Sequence, residues 1–110
     1  MTAVAALERA LALIDESNPE IHAFVTLDRT GAERAAAEAD AARRAGVSRG
    51  LLHGMLIGVK DNIDTAGIRT ACGSALFTDR VPNADAPVVE RLRAAGAIVI
   101  GKTNTPEFGL

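Results

Sequence analysis

Apolar residues near the start of the chain recur every three or four positions. This spacing is typical of one face of an amphipathic helix. The face comprises Val4, Leu7, Leu11 and Ile14. Because proline disrupts the interior of a helix, we expect this first helix to stop at Asn18-Pro19. The next residues, 21–27, are β-branched, aromatic or apolar around His22, which predicts a short strand with a structural histidine.

A second helix is predicted in the alanine-rich run that ends at Ala45. Thr30 and Glu33 have the spacing of a capping box at its start, and Gly46 provides a stop. Residues 1–46 therefore read as an N-terminal helical segment.

A buried strand is predicted after a linker at residues 47–51. The run from Leu52 to Val59 is almost uncharged and ends at Lys60. Desolvation disfavours a charged ammonium, so a lysine in this position is a candidate general base. Most lysines that close a strand are solvated, which is the competing interpretation.

A second strand follows a crossover helix. After an irregular stretch at residues 64–83, Asp85 is expected to cap a helix that Gly96 ends, and residues 97–100 form the strand. This order predicts a parallel βαβ unit of an α/β protein. Lys60 and Lys102 then lie at the same carboxyl edge of the sheet, where open α/β sheets bind ligands.

Composition excludes several classes of protein. The chain has 110 residues, a formal charge of −2 and interspersed acids and bases, so we expect no nucleic-acid binding. No apolar run is long enough to span a membrane, and no secretory signal is recognisable. His53 has no second His, Cys or carboxylate at metal-ligand spacing, and no metal or other cofactor is expected. The single cysteine, Cys72, fits a reducing cytoplasm.

Residues 96–103 (GAIVIGKT) match the phosphate-loop pattern GxxxxGK[ST]. A phosphate loop follows a strand and opens a helix, whereas here a helix precedes Gly96 and Pro106 obstructs a helix after Thr103. A nucleotide-binding βαβ domain is therefore the weakest alternative.

Four segments together resemble the amidase signature family. They cover about half of the chain in the family's order: 52–64 (LHGMLIGVKDNID), 70–74 (TACGS), 85–89 (DAPVV) and 101–109 (GKTNTPEFG). The resemblance implies the N-terminal part of the amidase fold. Its N-terminal helices would precede a βαβ piece of a mixed sheet at residues 52–110, within a single partial domain.

The resemblance also implies a reaction, the cleavage of carboxylic amide C–N bonds by a Ser, cis-Ser, Lys triad. Members of the family are amide hydrolases or transamidases, and the latter include the A subunits of tRNA-dependent amidotransferases. Lys60 falls on the family's lysine, with a small amide as the substrate. Residues expected to line the site are Asp61, Asn62, Ser74, Thr103 and Asn104.

The chain departs from the family in lacking both serines of the triad. Ser17, Ser48 and Ser74 do not occupy their positions, and Leu56 stands where many members have proline. We therefore expect no hydrolysis by this chain alone. The competing hypothesis is a noncatalytic interaction module on the amidase scaffold. Two apolar strands in an incomplete sheet also predict self-association, for example as a homo-oligomer.

Overall fold

Three α-helices and three strands form the fold of residues 1–109, which the computed structural model describes. Leu110, the last residue of the expected domain range, lies outside the described residues. The elements are α1 (Ala3–Ile21), β1 (Phe24–Leu27), α2 (Arg29–Arg44), β2 (Leu56–Lys60), α3 (Pro87–Ala94) and β3 (Ile98–Thr103). Short 3₁₀ turns occupy Ala75–Phe77 and Glu107–Gly109.

The sheet has the order β1-β3-β2 and is mixed. β3 runs parallel to β2 and antiparallel to β1, which confirms both the βαβ unit and the mixed sheet. Helices cover both faces of the sheet, so apolar side chains of β3 are buried on each side. The β3 residues Ile98 and Ile100 pack with α1 and α2, whereas Val99 packs with Val89 of α3.

α1 continues through the Asn18-Pro19 pair, so its predicted end is wrong. A proline so near the end of a helix removes only one backbone donor, and α1 runs on to Ile21. His22 ends the helix with a φ of 50°, and its N–H bonds to the Asn18 carbonyl. The strand therefore begins at Phe24 rather than Ile21. The Asn18 side chain fixes this connection by bonding to both the N–H and the carbonyl of Phe24.

Both predicted helix caps are wrong as well. Asp28, rather than Thr30, caps α2 by accepting a hydrogen bond from an N–H of the first turn. Ala86 takes the cap position of α3 without a side-chain bond. The Asp85 carboxylate instead pairs with Arg93, and it accepts a backbone N–H from the preceding loop.

α1 and α2 are joined by a buried carboxylate. Asp40 of α2 accepts hydrogen bonds from the backbone N–H groups of Ala3 and Val4, at 2.7 and 3.0 Å. These bonds satisfy free donors in the first turn of α1. They also lower the pKa of Asp40 below its ordinary value.

β2 is shorter than predicted, and β3 is longer. Residues 51–54 form turns that hydrogen-bond to the end of α3, so β2 begins at Leu56 rather than Leu52. β3 continues beyond Ile100 to Thr103 because it has a partner strand on each side.

A register shift in β3 decides which face each lysine occupies. Ile100 has no partner in β2, and beyond it Val59 pairs with Lys102 and Lys60 pairs with Thr103. Because neighbouring residues of a strand point to opposite faces, Lys60 and Lys102 lie on opposite sides of the sheet.

The connection from residue 64 to residue 83 is irregular, as predicted, except for the 3₁₀ turn within it. Arg80 holds its two ends together by donating to both carboxylate oxygens of Asp64, at 2.7 and 2.9 Å. This bidentate pair lowers the pKa of Asp64. Arg80 also donates to the Thr70 carbonyl, so the loop is tied at three points.

Candidate functional site

Lys60 lies at the carboxyl end of β2, as predicted, and its side chain is exposed. The next residue ties this end of the strand to β3, because the Asp61 N–H donates to the Thr103 carbonyl at 2.9 Å. Lys60 shares its face with Gly58, where an added Cβ would come within 2.8 Å of Thr103 Cγ2. Thr103, the β3 partner of Lys60, therefore lies beside the start of the Lys60 side chain, on the same face of the sheet.

The end of the described chain returns to Lys60. A Cβ added at Gly109 would lie 4.0 Å from Lys60 Nζ and 2.6 Å from Asn62 Nδ2. Gly109 also has a φ of 78°, a conformation that glycine adopts without strain. The structure thus brings Lys60, Asn62 and Gly109 together at one edge of the sheet.

The other predicted site residues line a separate depression. Asp61, Ser74 and Asn104 border a cavity of about 210 Å³ that also meets Arg69. Lys60 does not border this cavity. The predicted residues therefore divide into a group around Lys60 and a group around the Asp61 carboxylate.

Asp61 is buried, and its carboxylate lies near the Lys102 amine. One oxygen accepts the Ala71 N–H at 3.3 Å, and the other lies 3.9 Å from Lys102 Nζ. Asn104 is exposed and donates its side-chain amide to the His22 carbonyl, which ties the end of β3 to the end of α1.

Lys102 is fully buried. Its amine donates to the Ile63 carbonyl and to Thr70 Oγ1, both at 2.7 Å. Burial lowers the pKa of Lys102, while nearby Asp61 and Asp64 oppose the shift. The residues of the phosphate-loop pattern after Ala97 form β3, and the amine that would meet a phosphate is already bound to two protein oxygens.

The three serines bond to their own backbone segments. Ser17 donates to the Leu13 carbonyl, and Ser48 donates to the Gly50 carbonyl. Ser74 accepts the Leu76 N–H and begins the 3₁₀ turn. Each hydroxyl therefore has a local structural role.

Sequence reasoning missed the roles of Thr70, Arg80 and Lys102. A lysine that continues the apolar run IVIG of a central strand is a signal of burial, but the residues that satisfy it come from a loop without periodicity. Within residues 1–109, no three His, Cys, Asp or Glu side chains cluster closely enough to hold a metal ion. In the same part of the chain, no helix is both long and apolar enough to cross a membrane.

Comparison with known proteins places these features in one family. The sequence matches the amidase family over residues 5–110. The chain is 44% identical to a glutamyl-tRNA(Gln) amidotransferase subunit from Roseiflexus sp. (strain RS-1), a match that covers the whole chain and 22% of that protein. The corresponding protein of Lachnospira eligens is 42% identical over 99% of the chain and 23% of its own length.

Solved structures agree with the sequence matches. The peptide amidase of Stenotrophomonas maltophilia superposes with a TM-score of 0.82 at 40% identity, over 96% of this chain and 21% of that one. A vestigial protein complex related to an s-triazine catabolic enzyme gives a TM-score of 0.92 at 35% identity, over 98% and 24%. The chain thus spans between a fifth and a quarter of the length of these relatives. It belongs to the amidase signature family.

Proposed function

We propose that this chain supplies the lysine base of a site that hydrolyses carboxylic amides. The observation that carries the proposal is the position of Lys60, exposed at the carboxyl end of a parallel strand, in a chain that matches the amidase family over residues 5–110. Ligands of open α/β sheets bind at this edge.

The chemistry requires groups that residues 1–109 do not place beside Lys60. A neutral Lys60 amine would accept a proton through a bridging serine while a second serine attacks the amide carbonyl. Backbone N–H groups would hold the resulting oxyanion. A serine-bearing segment packed over Lys60 would also exclude water from the amine, which favours its neutral form.

Asn62 and Thr103 are the proposed neighbours of the reacting groups, because they lie beside Lys60. Asp61, Ser74 and Asn104 are proposed to line the adjoining depression. The substrate is a small molecule with an amide group, no nucleic acid is bound by this chain, and the expected location is the cytoplasm.

A chimera tests the proposal. Residues 1–110 replace the matching segment of the Stenotrophomonas maltophilia peptide amidase, which is 40% identical, and ammonia release from a peptide amide is measured. Since a general base contributes about 10²- to 10⁴-fold to turnover, Lys60→Ala should lower the rate by that factor. Arg91→Ala, an exposed change on α3, serves as the control. A folded chimera whose turnover survives Lys60→Ala would refute the role of Lys60.

A further inference from the structure

Lys102 is a charged side chain with no exposed surface in the described structure. A buried ammonium is costly unless its donors are satisfied. Two of its three donors reach oxygens at 2.7 Å, the Ile63 carbonyl and Thr70 Oγ1, and the Asp61 carboxylate lies 3.9 Å away. The amine therefore has a built set of partners inside the protein.

All three partners belong to the segment at residues 61–70, which follows Lys60 in the sequence. The turn after β2 is fixed internally, because the Ile63 N–H donates to the Lys60 carbonyl at 3.0 Å. Two hydrogen bonds also fix the turn to β3. The Asp61 N–H donates to the Thr103 carbonyl, and the Lys102 amine donates to the Ile63 carbonyl.

The direction of the bond to Thr70 is set by its surroundings. The Thr70 hydroxyl donates to the Ile68 carbonyl at 3.1 Å, which leaves its oxygen as an acceptor for Lys102. The neighbouring Ala71 N–H binds Asp61. Lys102 consequently connects three segments, which are β3, the turn after Lys60, and the loop at residues 68–71.

Lys102 cannot act by touching a substrate of the Lys60 site. The two side chains lie on opposite faces of the sheet, since Lys102 pairs with Val59 and Lys60 pairs with Thr103. The effect of Lys102 on Lys60 must pass through the turn that joins them.

We propose that Lys102 is a positioning residue that locks the turn at residues 60–64 against β3 and so fixes the direction of the Lys60 side chain. The catalytic value of this lock rests on the proposed function. The lock itself does not, so it is tested without any turnover, and either proposal can fail alone.

The test is amide hydrogen exchange of this chain by NMR. Lys102→Met removes the charge and the donors. The Asp61 and Ile63 amides should then exchange about tenfold faster or more, because opening of the turn no longer has to break a charge-assisted hydrogen bond. The Leu7 and Leu11 amides in the core of α1 should keep their rates. Lys60→Met is the matched control and should change none of them.

A spectroscopic signature accompanies the exchange data. Lys60 and Lys102 are the only lysines in the sequence, so the side-chain amine spectrum contains two lysine signals. The Lys102 amine protons should exchange with water far more slowly than those of Lys60. Equal rates for the two amines would overturn the proposal.

The remaining outcomes are decided by Thr70→Val, which removes one acceptor and leaves Lys102 in place. Faster exchange confined to Asp61 and Ile63 supports the lock even if Lys102→Met fails to fold. Unchanged exchange in Thr70→Val would overturn the proposal. So would a uniform acceleration in Lys102→Met that includes the Leu7 and Leu11 amides, because it would show that Lys102 stabilises the whole fold rather than the turn.

Discussion

Val88 and Val89 are neighbours on α3 that differ in burial. Val88 is 49% exposed, whereas Val89 is completely buried. Val89 packs against apolar side chains of β2 and β3 on the face of the sheet opposite Lys60. Val89→Ala should therefore weaken the packing of α3 against β2 and β3 and lower the stability of the protein, whereas Val88→Ala should not.

The magnitude follows from what each change removes. Val89→Ala deletes two buried methyl groups, worth about 0.8 kcal/mol each. A void of about 50 Å³ that does not collapse adds about 1 kcal/mol. The better helix propensity of alanine offsets about 0.5 kcal/mol of this loss. We expect Val89→Ala to lower the free energy of unfolding by about 2 kcal/mol, and Val88→Ala to change it by less than about 0.5 kcal/mol.

Urea unfolding followed by far-UV circular dichroism measures the difference. For a protein of this size the free energy of unfolding falls by about 1 to 3 kcal/mol per molar urea, so the midpoint of Val89→Ala should drop by about 1 M. Both variants gain the same helix propensity, which isolates burial as the cause. Equal midpoints for the two variants would refute the assignment of Val89 to the core.

Acid should weaken the contact between α1 and α2. The pKa of Asp40 is lowered in the folded state from 3.8, so its contribution to stability is complete well above that value and is lost as the pH falls through the folded-state pKa. Asp40→Asn should bring down the urea midpoint at pH 6, and this difference should shrink steadily as the pH is lowered below 3.8; a difference that stays constant would contradict this. The isolated chain should release no ammonia above background from aliphatic or aryl amides, and Lys60-dependent release would show that residues 1–110 form a working hydrolytic site by themselves. Titration with ATP or GTP should give no heat in calorimetry. Micromolar binding that Lys102→Ala abolishes would instead support the interpretation of residues 96–103 as a phosphate loop. In the described sheet β2 pairs with β3 alone, and the free edge of a strand can pair with a second copy of the chain. Size-exclusion chromatography with light scattering should therefore detect self-association, and a compact monomer with one sharp melt would contradict it.

The order of the elements could be predicted from the sequence because each depends on local pattern. The parallel unit of β2, α3 and β3 follows from two apolar runs separated by a helix, and the structure contains it. The antiparallel partner β1 could not be placed, since nothing in residues 24–27 specifies which strand they meet.

The boundaries were wrong where a distant contact outweighs local preference. Pro19 lies inside α1, and the Asn18 side chain bonds to Phe24 instead of ending the helix. Asp85 has the residue type of a cap, but its carboxylate pairs with Arg93. Such choices depend on partners that sequence spacing does not reveal.

The site shows the same division. The placement of Lys60 at a carboxyl edge follows from the strand that precedes it, and the structure agrees. The separation of Lys60 from Lys102 could not be predicted, because it depends on the unpaired Ile100. The roles proposed for Asn62, Thr103 and the residues of the depression stay predictions.

The unpaired residue in β3 makes strand length, more than side-chain identity, the vulnerable property of this region. Replacing Ile100 by valine would keep the count of residues between Gly96 and Lys102. Deleting one residue there would turn the lysine toward the layer of α1 and α2 and leave the carbonyl of Ile63 without its donor. Insertions and deletions in β3 should therefore be far more harmful than conservative exchanges at the same position.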